Sequence, residues 1–161
     1  MKAISPVIAT VIIIAVAISI AIAVAFWITG ISTSFTRYEK LTIVTAYAIE
    51  GTNEWRITLH VSNTGSSDTT IDEIYINGKP YSVYSGISVY YKDGKQTVDE
   101  NTDFSTWNTF STNGISLNTG ETVTIAITIP TTSSEFTHGS STEIKIHTSS
   151  GGEYPKMVVL P

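Results

Sequence analysis

Ser5-Pro6-Val7-Ile8-Ala9-Thr10-Val11-Ile12-Ile13-Ile14-Ala15-Val16-Ala17-Ile18-Ser19-Ile20-Ala21-Ile22-Ala23-Val24-Ala25-Phe26-Trp27-Ile28-Thr29-Gly30 decides how the chain is organised. No charge interrupts it, and the flanking charges are Lys2 and Arg37. As a helix this stretch measures ~39 Å at ~1.5 Å per residue, more than the ~30 Å hydrocarbon layer of a bilayer. Its β-branched composition would suit a strand in water. In lipid, an isolated span can satisfy its backbone N–H and C=O groups only as a helix. Ser5 is placed to cap that helix and Pro6 to occupy its first position.

Within 14–26 large and small residues alternate. At i, i+4 spacing Ala15, Ser19 and Ala23 make one small row and Ala17, Ala21 and Ala25 another, on roughly opposite sides of the helix. The ridges between them are Ile14-Ile18-Ile22-Phe26 and Val16-Ile20-Val24. Each small row is a groove for a neighbour's ridge, so the helix can pack on two sides. The alternative is a plain anchor in which Ala and Val only satisfy hydropathy. An ordinary secretory signal has a shorter apolar core followed by a small-residue cleavage site, which this run lacks. Lys2 on one side competes with Arg37 and Lys40 on the other, so charge alone leaves the orientation open.

Lys2-Ala3-Ile4-Ser5-Pro6-Val7-Ile8-Ala9, followed at once by the apolar run, resembles the amino-terminal signature of archaeal type IV pilins. The resemblance is close over about the first thirty residues and general beyond them: one long helix, then a Thr-rich β domain. It implies a leader of 1–3 cut between Ala3 and Ile4 by a prepilin peptidase, and an amino terminus facing the cytoplasm. It implies membrane insertion before assembly, then polymerisation by the pilus machinery into an extracellular homopolymer, with the helices bundled at its core and adhesion at its surface. Where bacterial pilins carry a glutamate, this sequence has Ile8, which matches the archaeal group. An archaellin, the subunit of the motility filament, would have a similar layout. A monomeric membrane-anchored envelope or binding protein is the rival of a different class.

Of the 161 residues, a helix of 4–37 leaves 38–161 for one modest domain with its own core. A net charge of −5 with no Lys/Arg cluster disfavours a nucleic-acid partner. There is no Cys, hence no disulfide and no Cys metal site. Past Gly30, which is a candidate kink or lipid boundary, helix is expected to about Arg37. From Leu41 the period changes to two. Leu41, Ile43 and Thr45 alternate, and Trp55, Ile57, Leu59 and Val61 alternate with Arg56, Thr58, His60 and Ser62. Further strands are expected at 70–76, 87–91, 122–129, 143–147 and 156–160. Asn77-Gly78 and Asp93-Gly94 read as hairpin turns, with Gly65, Gly120 and Gly151-Gly152 as punctuation. The fold class is therefore α+β: one long apolar helix followed by about seven strands, which suggest an immunoglobulin-like sandwich, the alternative being a more irregular barrel.

The stretch 81–113 fits the strand rhythm least. It holds seven of the sixteen aromatics: Tyr81, Tyr84, Tyr90, Tyr91, Phe104, Trp107 and Phe110. They read either as a decorated loop capping the sandwich core or, for Tyr84, Tyr90, Tyr91, Phe104, Trp107 and Phe110, as subunit contacts.

Catalytic signals are weak, and no enzyme activity, cofactor or metal is expected. His60 and His147 fall on the polar phase of their strands and His138 lies in a loop, so all three are expected to face solvent. Asp99, Asn101 and Asp103 imitate the start of a calcium loop, but Phe104 stands where the loop needs Gly and Phe110 where it needs Glu. From Ile31 onward there are 17 Ser and 23 Thr and no N-glycosylation sequon. Thr131, Thr132, Ser133 and Ser134 form a hydroxyl cluster suited to O-glycosylation, or simply to uncharged strands and loops.

Overall fold

The computed structural model describes residues 5–35 and 37–161, apart from the side chains of 32–35. The expected processing junction Ala3-Ile4 and the leader 1–3 lie outside the described residues. The chain divides between Arg37 and Tyr38 into two units.

The first unit contains α1, Pro6–Phe35, a 30-residue helix. It opens with the amides of Ile8 and Ala9 both donating to the Ser5 carbonyl, at 3.0 and 3.1 Å. It runs through Gly30 without ending there. Among the described side chains, three hydroxyls bond back to their own helix, Thr10 to Val7 O, Ser19 to Ala15 O and Thr29 to Ala25 O, each at 2.8 Å. A hydroxyl satisfied in this way carries little penalty in an apolar medium.

The second unit is a sandwich of two antiparallel sheets. In chain order its strands are β1 (Leu41–Gly51), β2 (Glu54–Asn63), β3 (Thr69–Ile76), β4 (Lys79–Pro80), β5 (Ser88–Asp93), β6 (Asn108–Thr109), β7 (Ile115–Leu117), β8 (Thr122–Pro130), β9 (Ser141–Thr148) and β10 (Glu153–Val159). One sheet has the order β1-β2-β8-β5-β6; the other runs β10-β9-β3-β4, with β7 also on β3. Trp55, Ile57, Leu59 and Val61 of β2 and Val123, Ile125, Ile127 and Ile129 of β8 meet Ile71, Ile74, Ile76, Ile144 and Ile146 of the facing sheet in one core. Period-two patterning puts the β2, β8 and β9 sets each on one face.

Two bulges shift that phase. The β1–β2 register slips between Ile43 and Thr45, so Ile43 and Ala46 both pack on the core while Thr45 faces outward, opposite His60. Thr45 therefore departs from the alternation expected from Leu41 and Ile43. In β3 a slip between Ile71 and Glu73 brings Ile71 and Ile74 to the same face despite their odd spacing. The turns also divide. Asn77 and Gly78, with φ of 48° and 79°, join β3 to β4 as a hairpin. Asp93-Gly94 does not: Gly94 (φ 76°) ends β5, and the chain returns only at β6.

Where the chain enters the sandwich, backbone meets backbone. Thr64 N and Gly65 N donate to Lys40 O, and Ser66 N to Tyr38 O. A Cβ on Gly65 would lie 2.6 Å from both Lys40 N and Tyr38 O, so only glycine permits this approach. Beside it buried Asn63 donates through Nδ2 to Ser67 O and Leu117 O and accepts at Oδ1 from Gly65 N.

Candidate functional site

The apolar helix is exposed on every side. Among its large residues from Val7 to Ile28 exposure ranges from 46 % at Val24 to 76 % at Phe26, and both small rows, Ala15-Ser19-Ala23 and Ala17-Ala21-Ala25, are open as well. The ridge Ile14-Ile18-Ile22-Phe26 stands clear between them. A helix apolar all round needs an apolar surrounding, either lipid or other helices. Pro6–Ile31 is long and apolar enough to cross a membrane.

On the sandwich, the aromatics of 81–113 separate into two groups. Tyr84 and Phe110 belong to the core: the Tyr84 hydroxyl donates to Ile76 O at 2.8 Å and its ring packs on Phe136, while Phe110 packs on Tyr81. Both are buried within the sandwich, which leaves them little surface for the subunit contact expected of them. Tyr91 is half-buried against the same core. Tyr90, Phe104 and Trp107 form an outer stack, with Phe104 parallel to Tyr90 at 4.9 Å and edge-on to Trp107 at 5.2 Å.

That stack ends a strap, 94–107, which covers the outer face of the first sheet. The strap is held by its main chain. Thr124 Oγ1 donates to Gly94 O and accepts from Gln96 N, both at 2.8 Å. His60 Nε2 donates to Gln96 O at 2.7 Å, with Nδ1 2.5 Å from Thr45 Oγ1. A carbonyl can only accept, which places a proton on Nε2. The Tyr47 hydroxyl meets Val98 N and O at 3.3 and 3.4 Å. Arg56 Nη1 donates to Asp99 O at 2.8 Å and Thr102 O at 3.0 Å, its Nε pairs with Glu54 at 2.7 Å, and its guanidinium lies over Phe104.

This cover corrects the expectation for His60, which is 5 % exposed instead of facing solvent. His138 is exposed, and His147 is half-buried with Nδ1 2.6 Å from Asp72 Oδ1. Asp99 and Asp103, read as an imitation calcium loop, cap turns instead: Asp99 Oδ1 accepts from Asn101 N and Thr102 Oγ1, and Asp103 accepts from Ser105. The Ser105 bonds hold the Asp103 carboxyl below its ordinary value. Among the described residues no three His, Cys, Asp or Glu side chains are grouped to hold a metal. Thr131, Thr132, Ser133 and Ser134 follow β8 in a turn, with Thr132 and Ser134 exposed and Thr131 and Ser133 half-buried.

Sequence reasoning missed Glu39. Its carboxylate accepts from Thr69 Oγ1 at 2.6 Å and from Ser150 Oγ, tying the lead-in 38–40 to β3 and to the β9–β10 turn. Burial opposes its charge, but hydrogen bonds from Ser150, Thr148 and Thr69, with His147 nearby, outweigh that and hold the carboxyl below its ordinary value.

The fold and these surfaces define a class: a membrane-capable apolar helix joined to an antiparallel β-sandwich. No family model matches the chain, and no curated protein does. Among solved structures it is similar to the archaellum periplasmic stator protein FlaG from Sulfolobus acidocaldarius, at 22 % identity and a TM-score of 0.37 over 74 % of this chain and 99 % of that one. The FlaF–FlaG stator complex of the same organism gives 22 % identity and 0.37 over 73 % and 86 %. The Iho670 flagellar-like filament gives 15 % identity and 0.38 over 97 % and 98 %. All three TM-scores fall below 0.5, so the functional reading rests on this chain's own residues.

Proposed function

We propose that the chain is a structural subunit of an extracellular filament, held in the membrane by α1 before assembly and polymerised through it. The observation that carries this reading is a 30-residue helix whose apolar residues are exposed all round and whose small residues form two opposed open rows. One row would suffice for a dimeric anchor. Two opposed rows let each helix receive ridges from two neighbours, the minimum for a continuing bundle.

The Lys2–Ala9 signature supports the pilin form of this role. A prepilin peptidase would cut before Ile4, the assembly machinery would extract the subunit from the membrane, and the sandwich would face outward for adhesion. In that role nothing is catalytic. Tyr90, Phe104 and Trp107 are available for contacts between sandwiches, and the turn at Thr131–Ser134 is available for O-linked sugar. Electron microscopy of material sheared from cells producing the chain tests the reading. Filaments that disappear when the chain is deleted and return when it is restored are expected. A chain confined to the membrane fraction, with no filaments, would establish the monomeric anchor instead.

A further inference from the structure

β2 and β8 bury both faces, but with different chemistry. Toward the core stand Trp55, Ile57, Leu59, Val61, Val123, Ile125, Ile127 and Ile129; on the outer side Thr58, His60, Thr124, Ala126 and Thr128 are just as buried. Threonine and histidine in alternation with aliphatics are what a sheet shows when one face meets water. The outer face is thus composed for solvent and covered all the same.

The way it is covered matches. The bonds that cross from the sheet to the strap, by Thr124, His60, Tyr47 and Arg56, all end on main-chain atoms. Val98 is the one fully buried hydrophobic side chain that the strap contributes. Phe104 and Trp107 are only half-buried. Lifting the strap therefore bares little apolar area, and water can replace each hydrogen bond it breaks. The Thr58 hydroxyl beneath it is fully buried with no hydrogen-bond partner, so opening would give it one.

We propose that 94–107 is a detachable strap that opens as one unit, hinged at Gly94 and at the β6 anchor, while both sheets stay folded. Gly94, at φ 76°, supplies the hinge on one side. On the other, β6 stays paired to β5, and Phe110 N remains on Val89 O at 2.9 Å. Arg56 is the latch, since one of its nitrogens holds two carbonyls of the distal half while its plane covers Phe104.

The test is hydrogen exchange read at individual amides of the full chain in detergent micelles. Gln96 and Val98 are diagnostic because their N–H groups donate into the sheet. They are expected to exchange ~100-fold faster than the β2 and β8 amides, at rates insensitive to low urea. Arg56→Gln touches the strap at Asp99, Thr102 and Phe104, yet a strap that moves as one unit would speed exchange at Gln96 and Val98 as well, by ~10-fold, leaving β2 and β8 unchanged. Val98→Ala, which removes only the strap's own plug, should give the same pattern. Gln96 and Val98 exchanging in step with β2 and β8, or acceleration by Arg56→Gln confined to 99–104, would overturn the proposal.

Discussion

Glu39 accepts a 2.6 Å hydrogen bond from the hydroxyl of Thr69, thirty residues further along the chain. The contact ties the start of the sandwich, before its first strand, to the opposite sheet. Its carboxyl is held below the ordinary value of 4.5. A carboxyl so lowered contributes stability above about 4.5, and that contribution is lost as pH falls through the lowered folded value. Glu39→Gln is therefore expected to cost under about 1 kcal/mol near neutrality, because solvent screens the site, and to flatten the fall of Tm on acidification. Thermal melts of both proteins between neutral pH and pH ~3 check this. Parallel acid limbs would show that Glu39 does not set the acid response.

Gly65 supports the same junction through space, not charge. Its missing Cβ would sit 2.6 Å from backbone atoms of Lys40 and Tyr38, and backbone cannot turn aside as a side-chain tip can. Gly65→Ala should destabilise the sandwich by about 1–3 kcal/mol, the cost of overpacking a close contact, read as a lowered urea midpoint at unchanged slope. An unchanged midpoint would mean that the 64–66 loop can move off the lead-in at no cost.

The main elements were legible because their patterns are local. The helix shows as an uninterrupted apolar run, and β2 and β8 as period-two alternation ending in turn residues. The bulges at Val44 and at Asp72 were not legible, since one extra residue shifts the phase without any compositional sign. Nor was the strap. His60 reads as solvent-facing from its own strand, and only the packing of 94–107, some 36 residues away through Gln96, buries it. Tyr84 and Phe110 read like Tyr90 and Trp107 because the sequence does not say which side of a loop turns inward. Glu39 was missed for the same reason: its partners Thr69 and Ser150 are distant in the chain.

Processing and modification can be read together from the intact mass of purified filament protein. A subunit beginning at Ile4 is expected, because the Lys2-Ala3-Ile4 junction matches the pilin cleavage pattern. A series of heavier species spaced by sugar masses is expected above it, from hydroxyls that include the exposed Thr132 and Ser134. Retention of Met1 in assembled filaments would show that the cut is not needed for assembly. A mass equal to the bare polypeptide would remove glycosylation from the account.

The grooves on α1 give the most direct test of the filament reading. Ala17 and Ala21 lie one turn apart in one small row, and both are exposed. Phenylalanine at either position fills the row with a ring yet remains apolar enough for the helix to stay in lipid. Overpacking of about 1–3 kcal/mol per contact would recur at every subunit, so a modest local cost becomes prohibitive along a polymer. Ala17→Phe and Ala21→Phe are each expected to leave the precursor in the membrane at normal or raised levels and to abolish filaments on sheared preparations. Normal filaments from both variants would show that the small rows are not where the helices meet, while the membrane anchor would be unaffected.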